Sequence, residues 1–324
     1  MKRNYLLLAG IALGCSAYAN AAEGPADNQG LSGEISLLAA FSGGKSNFNT
    51  DHAVKTGDLN SAGESDSEFM PIPLGQVRYT FGTQQLFLGT SRADIIEGVV
   101  ALELGYAFEV GENSRLSFSY LPTIVNGETW ENPYLVNSSR KTTDVSGNAY
   151  RIQYDNVLDT GIDADFAYYD KEIENEQSGS TTAEQELLKR GGSGYLVQVS
   201  YGRPVGRSTF IMPSLEYQRY SADGKAMSYD RYGFSLTGMH SFGNHHFSLN
   251  GGYSKTKYDA ENPIFNQTQE NSIYSVMFAY EYSSFMGWEN LGFNVLSGYE
   301  TTSSNITFYD ESEYITGIGV TYFF

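Results

Sequence analysis

Tyr314-Ile-Thr-Gly-Ile-Gly-Val-Thr-Tyr-Phe-Phe324 alternates without a break. Tyr314, Thr316, Ile318, Val320, Tyr322 and Phe324 share one face, and Ile315, Gly317, Gly319, Thr321 and Phe323 the other. A period of two describes an extended strand between two different environments. Termini are usually frayed and polar, yet this one carries the most apolar strand of the chain. A barrel in lipid requires such an ending, because its last strand must pair with its first and leave no open edge.

The rest of the chain repeats the pattern between turn residues. Alternation predicts strands at 31–42, 71–82, 84–92, 98–109, 114–125, 147–157 and 161–171. It predicts seven more at 194–203, 207–220, 230–242, 245–258, 272–284, 288–301 and 312–324. Ile35, Leu37, Ala39 and Phe41 would face lipid on the first, and Tyr195, Val197, Val199 and Tyr201 on another. Most of these lengths are near the ~9–11 residues a tilted strand needs to cross a membrane. Long connections (43–70, 126–146, 172–193, 259–271) alternate with short ones, as external loops do with periplasmic turns. The expected fold class is all-β, a transmembrane antiparallel up-and-down barrel of about fourteen strands. Twelve or sixteen stay open, because 84–92 is weak and Pro71, Pro73 and Pro213 interrupt their strands.

The N-terminus reads as a targeting segment over 1–21. Lys2 and Arg3 precede the apolar run Tyr5–Gly14, and Ala17-Tyr-Ala19 and Ala19-Asn-Ala21 offer cleavage sites. A degenerate lipoprotein box, Leu13-Gly14-Cys15-Ser16, is the rival route. Residues 22–30 form a lead-in and 31–324 the barrel. Cys15 is the only cysteine, so the mature chain has no disulfide framework. No other run approaches a membrane helix, and mean hydropathy is −0.35.

The whole chain carries −18. Loss of Lys2 and Arg3 leaves 18 of the 20 basic residues against 38 acidic ones, a net −20. That excludes nucleic acid as a partner, which needs clustered Lys and Arg. Acidic loop segments such as Gly63–Glu68 and Lys171–Glu176 read as solvated, or as ligands for cations that bridge to lipopolysaccharide. The 25 Tyr and 19 Phe against 2 Trp suit interfacial aromatic girdles.

Residues expected to face the lumen are polar: Glu103, Arg115, Arg151, Asp155, Asp163, Asp165 and Glu216. A wall of both signs resembles a water-filled pore, or alternatively a closed network of charge pairs. Leu196, Phe210, Met212 and Met277 also point inward and would suit an apolar solute. Loop 126–150 offers Trp130, Tyr134, Arg140 and Lys141 as a constriction or a stacking surface for carbohydrate. No catalytic group is evident: His52 stands alone in the first external loop, and His245 and His246 are adjacent in a turn, a poor metal spacing. No cofactor and no metal is expected.

The ending resembles the terminal strand of bacterial outer-membrane proteins, which implies that Tyr322 and Phe324 are read by the barrel assembly machinery. Gly30-Leu-Ser-Gly-Glu-Ile-Ser36, Leu102-Glu-Leu-Gly-Tyr106, Gly127-Glu-Thr-Trp-Glu-Asn-Pro-Tyr134 and Arg140–Tyr150 resemble an outer-membrane protein family of Vibrio-type gammaproteobacteria. That resemblance implies a porin-like barrel in the outer membrane of a Gram-negative cell, and assigns no activity. The expected function is passive diffusion of small hydrophilic solutes through a monomer surrounded by outer-membrane lipid and lipopolysaccharide. The alternatives are a closed, surface-interacting barrel with acidic loops, and a hydrophobic-solute transporter.

Overall fold

The computed structural model describes residues 29–90, 102–123 and 126–324. The expected targeting segment, nearly all of the lead-in and the start of the 98–109 strand lie outside these. The strands are β1 (Gly30–Lys45), β2 (Ser65–Phe81), β3 (Gln84–Gly89), β4 (Glu103–Glu109), β5 (Arg115–Pro122), β6 (Gly127–Trp130), β7 (Thr142–Asp155) and β8 (Ile162–Ile173). They continue as β9 (Gly192–Tyr201), β10 (Arg203–Val205), β11 (Thr209–Ala222), β12 (Tyr229–Phe242), β13 (His245–Asn262), β14 (Gln267–Tyr282), β15 (Leu291–Ser304) and β16 (Glu311–Phe323). All neighbours pair antiparallel, and β16 pairs back onto β1 from Glu34↔Phe323 to Lys45↔Ser312. The short β6 and β10 attach to β7 and β11. The other fourteen close the barrel, the expected number.

The closing seam explains the sequence that ends the chain. Gly33 and Phe324 exchange backbone hydrogen bonds, N to O at 2.7 Å and 3.0 Å. The Phe324 ring lies where a side chain on residue 33 would sit, 2.8 Å from an added Cβ. Two further glycines, Gly317 and Gly319, bring the inner faces together, and a Cβ on Gly317 would stand 3.2 Å from the Ala39 carbonyl oxygen. A Cβ on Gly319 would stand 2.5 Å from the Leu37 carbonyl oxygen and 2.9 Å from Leu38. Only hydrogen fits there, so the two terminal strands meet at ladder distance.

Side chains alternate as predicted, with apolar residues outward and small or polar residues inward. Along the outer membrane boundary the outward aromatics form a nearly continuous girdle. Tyr120↔Tyr150↔Tyr168↔Tyr195 are in direct register on β5, β7, β8 and β9. Tyr217↔Tyr232, Tyr253↔Tyr274, Tyr299↔Tyr314 and Phe41↔Phe69 continue it around the wall. Amphipathic rings settle where lipid headgroups meet hydrocarbon. Tyr79, Phe81, Phe108, Phe118, Phe247 and Tyr322 mark the opposite boundary. A closed ladder with a lipid-facing belt between two girdles makes this an outer-membrane β-barrel.

Three expectations change in detail. The wall rises above the outer girdle, so β13 continues nine residues past Tyr253, about 30 Å along the strand. The predicted external loops are correspondingly shorter, and 142–150 belongs to β7 rather than to a loop. The prolines do not break their strands. The Gly75 N–H, on the same edge of β2 as residues 71 and 73, bonds to the Thr90 hydroxyl rather than to β1. Pro71 and Pro73 therefore cost the β1–β2 ladder nothing. Pro213 falls between the β10 and β9 segments that pair with β11.

The topology predicts reagent access. Cysteines placed at Ser65 and Ser180, both exposed on the outer side, will react with an impermeant thiol reagent on intact cells, and one at Asn244 will not. The opposite pattern would invert the barrel. Gly319→Leu will drive a side chain into the Leu37 carbonyl and lower the yield of heat-resistant folded barrel in gel-shift assays. Normal yield would show that the seam tolerates bulk.

Candidate functional site: a charged wall beneath a loop cap

On the inner wall the expected charged residues fall into one arc over β4, β5, β7 and β8. Arg151 and Asp165 form an ion pair at 2.5 Å, reinforced by Arg151 Nε to Asp165 Oδ2 at 2.8 Å. Arg115 stands directly opposite Asp155 and donates to the Gln85 side chain at 3.0 Å. Glu103 is buried on the same face of β4, close enough to bear on Arg115. Asp163 accepts the Asn156 backbone N–H at 2.7 Å in the adjoining turn, which sets it apart from the pair. Glu216 joins the arc through the ladder, because Gln153↔Asp165↔Gln198↔Glu216 are in register on β7, β8, β9 and β11.

The opposite wall is different. Leu38, Leu74, Met277 and Leu296 form a buried apolar strip on β1, β2, β14 and β15, with Ile72, Ala279 and Ile315 packed against it. Met277, which alternation in the sequence places inward, lies in this strip. Leu196 and Met212 also alternate inward, separate from this strip.

Among the described residues the outer mouth holds the larger of the two buried apolar clusters, and few of its members are visible as candidates in the sequence. Tyr134, Leu188, Ala226, Met227, Ile306, Phe308 and Tyr309 pack together, joined by Phe48, Leu59, Ile264 and Phe265. These residues come from six outer connections: 46–64, 123–141, 174–191, 223–228, 263–266 and 305–310. The β5–β7 and β15–β16 connections lie almost diametrically across the barrel. Yet the Tyr134 and Tyr309 hydroxyls are 2.7 Å apart. Groups from opposite sides of the ring meet only over its axis, so these loops cap the mouth above the outer girdle.

Polar anchors hold the cap at its edges. Trp130 is fully buried and donates its Nε1–H to the Asn47 carbonyl at 3.1 Å. Arg140 stacks on that indole at 4.3 Å and donates to the same carbonyl at 2.9 Å. The Asn47 side chain donates to the Phe308 carbonyl and accepts from Lys55 Nζ. Arg190 pairs with Glu176 at 2.5 Å and donates to Thr129 and the Trp130 carbonyl. Within the 174–191 connection, Thr181 caps α1 (Thr182–Leu187), the one α-helix among the described residues. Lys141 is exposed and meets the cap through its backbone carbonyl, which accepts the Glu131 N–H at 2.8 Å. The Trp130 and Tyr134 rings are therefore spent on packing within the cap. His52 meets Glu64 at 3.2 Å rather than a nucleophile.

Burial sets the protonation of these groups. It pushes both the Tyr134 and Tyr309 phenols up, and the tyrosinate across from Tyr309 would push it further. Both hydroxyls keep their protons, so one donates to the other while Asn262 Nδ2 donates to Tyr309 at 2.7 Å. Burial lowers Arg140 to about 10. With both its folded and unfolded values above physiological pH, it is charged in either state there. Its contribution to cap stability is then flat across pH 5–8 and rises only through about 10 and above, where the folded state alone sheds its proton.

Removing one partner of a buried ion pair leaves the other charge uncompensated, at about 3–5 kcal/mol. Arg190→Met will therefore loosen the cap without touching the wall ladder. Limited proteolysis on intact cells will cut the outer loops faster, while the folded barrel keeps its gel mobility. Unchanged cleavage would show that Arg190 does not hold the loops.

No curated protein matches this sequence. Among solved structures, the outer membrane channel DcaP of Acinetobacter baumannii is 10% identical with a TM-score of 0.41, over 91% of this chain and 98% of that one. The anion-selective porin from Comamonas acidovorans is 8% identical, with a TM-score of 0.43, over 91% and 98%. The Pseudomonas putida toluene transporter TodX is 9% identical, with a TM-score of 0.45, over 96% and 94%. These likenesses are of fold alone. In sequence, residues 30–323 match the family described as "Protein of unknown function (DUF2860)", and the chain belongs to that family.

Proposed function

We propose that this barrel is a loop-capped outer-membrane channel for small hydrophilic solutes. The observation that carries the reading is the arc of charge on the inner wall, at Glu103, Arg115, Arg151, Asp155, Asp165 and Glu216. Charges on the inside of a barrel are stable when water reaches them or when they pair. Eight strands leave an interior just filled by side chains, and sixteen to eighteen leave an aqueous channel. Fourteen strands with this wall favour a water path, and the loop cap makes it a gated one. The apolar strip at Leu38, Leu74, Met277 and Leu296 leaves room for solutes with an apolar side.

The cap also favours a second reading, a barrel that stays shut and presents its acidic loops to lipopolysaccharide cations or a partner. Planar-bilayer recording of the refolded protein separates the two. Phe308 is fully buried at the centre of the cap, and Phe308→Ala removes about 3–5 kcal/mol of packing there. The wild type will show brief or rare conductance steps, and Phe308→Ala will open more often or for longer. Absence of steps from both proteins over a range of voltages would exclude the channel and leave the closed barrel.

A further inference from the structure

Trp130 and Tyr134, the sequence's candidates for stacking on carbohydrate, are packed inside the cap. A second set of rings stands on the wall beneath it. Tyr169 on β8 is opposite Gly194 on β9, and Gly194 is opposite Tyr220 on β11. Tyr220 is opposite Tyr229 on β12, and Tyr229 is opposite Tyr258 on β13. Each of these tyrosines lies an odd number of residues from a girdle tyrosine of its own strand, and so faces the lumen. At Gly194 an added Cβ would stand 2.6 Å from the Tyr169 ring, so the missing side chain lets Tyr169 reach across β9. Ring centroids follow one another at 5.9, 5.5 and 5.3 Å, and the Tyr169 and Tyr220 planes are parallel within 1°.

The row begins where the cap ends. Tyr229 directly follows the 223–228 connection, whose Met227 packs in the cap, and the Tyr220 hydroxyl donates to the Arg190 carbonyl at 2.7 Å. Tyr220 is buried, while Tyr169, Tyr229 and Tyr258 each keep part of their surface open to the lumen. Polar groups border the rings. Lys171, two residues above Tyr169 on the same face, holds its Nζ 4.9 Å from the centre of the Tyr220 ring. That ammonium makes no hydrogen bond or ion pair among the described residues, and Glu176, which bears on it, is already paired with Arg190. The Tyr258 hydroxyl likewise has no hydrogen-bond partner among the described residues. Adjacent rings left open on a wall of polar and small residues mark a place where a solute is held.

We infer that this tyrosine row is a binding track for linear oligosaccharides. The inference rests on the channel reading and names its solute class. A sugar unit offers a C–H face to an aromatic ring and hydroxyls to the polar groups at its edge, here the Lys171 ammonium and the Tyr258 phenol. Rings on successive strands let one chain of sugar units touch several at once, so binding strengthens with the number of units.

The test is the current through Phe308→Ala in planar bilayers with a linear glucose hexamer added. Glucose, and a polyethylene glycol of matching size, serve as controls. The hexamer will reduce the current saturably. Glucose at the same mass concentration will act about tenfold more weakly or less, and the polyether will reduce the current only in proportion to its concentration. In F308A/Y229L/Y258L, which keeps apolar bulk and removes two ring faces, the half-blocking concentration of the hexamer will rise about tenfold. No saturable block by the hexamer, or an unchanged half-blocking concentration in that variant, would overturn the inference while leaving the channel standing. The comparison of hexamer with glucose leaves the row intact, so it decides the matter even where the variant fails to fold: equal block per sugar unit would also overturn the inference. Absence of current from both wild type and Phe308→Ala would instead remove the channel reading beneath it.

Discussion

Within hydrocarbon, no backbone amide can turn to water, so every N–H and C=O in the wall must find a partner in the chain itself. This requirement governs the rest of the molecule. It forces β16 onto β1, places Gly33, Gly317 and Gly319 where the two ends come together, and puts Phe324 over the seam. It also explains where the prolines sit, since residues 71 and 73 occupy an edge of β2 that the β1 ladder does not use. Once the ladder is closed, the strand period of two assigns every wall residue to lipid or to lumen with no further freedom.

That period is why so much of the wall was legible in the sequence. Outward residues such as Ile35, Val197 and Tyr274, and inward ones such as Arg151, Asp165 and Met277, follow from parity alone once one strand is oriented. The strand number followed as well, because turns between alternating runs are short and rich in Gly and Asn. Strand ends were less legible. A wall that continues past the membrane keeps its alternation but exchanges apolar outward residues for polar ones, as Lys257 and Glu261 do on β13, and so reads as loop.

The cap was scarcely legible. Trp130 and Tyr134 stand out by residue type, but their partners Phe48, Leu188, Met227 and Phe308 are scattered over connections far apart in the chain. No periodicity links them; they meet because the barrel brings its outer connections around one axis. The run Ile306-Thr-Phe-Tyr309 was the available signal, being unusually apolar for a short connection between strands in water. The pairing of Arg190 with Glu176 and the stacking of Arg140 on Trp130 are tertiary facts of the same kind, as is the alignment of Tyr169, Tyr220, Tyr229 and Tyr258, which depends on register.

The convergence of six connections on one packed cluster has a consequence for how the exterior of this barrel changes over time. Surface loops ordinarily vary one at a time, because each is answerable only to its own two strands. Here Asn47 touches both Trp130 and Phe308, and Arg190 touches Trp130, so a substitution in one connection alters the packing of its neighbours. The face shown to antibodies and phage is thus constrained like an interior. Free variation is confined to outlying segments such as exposed residues 181–183, which project from the shared core.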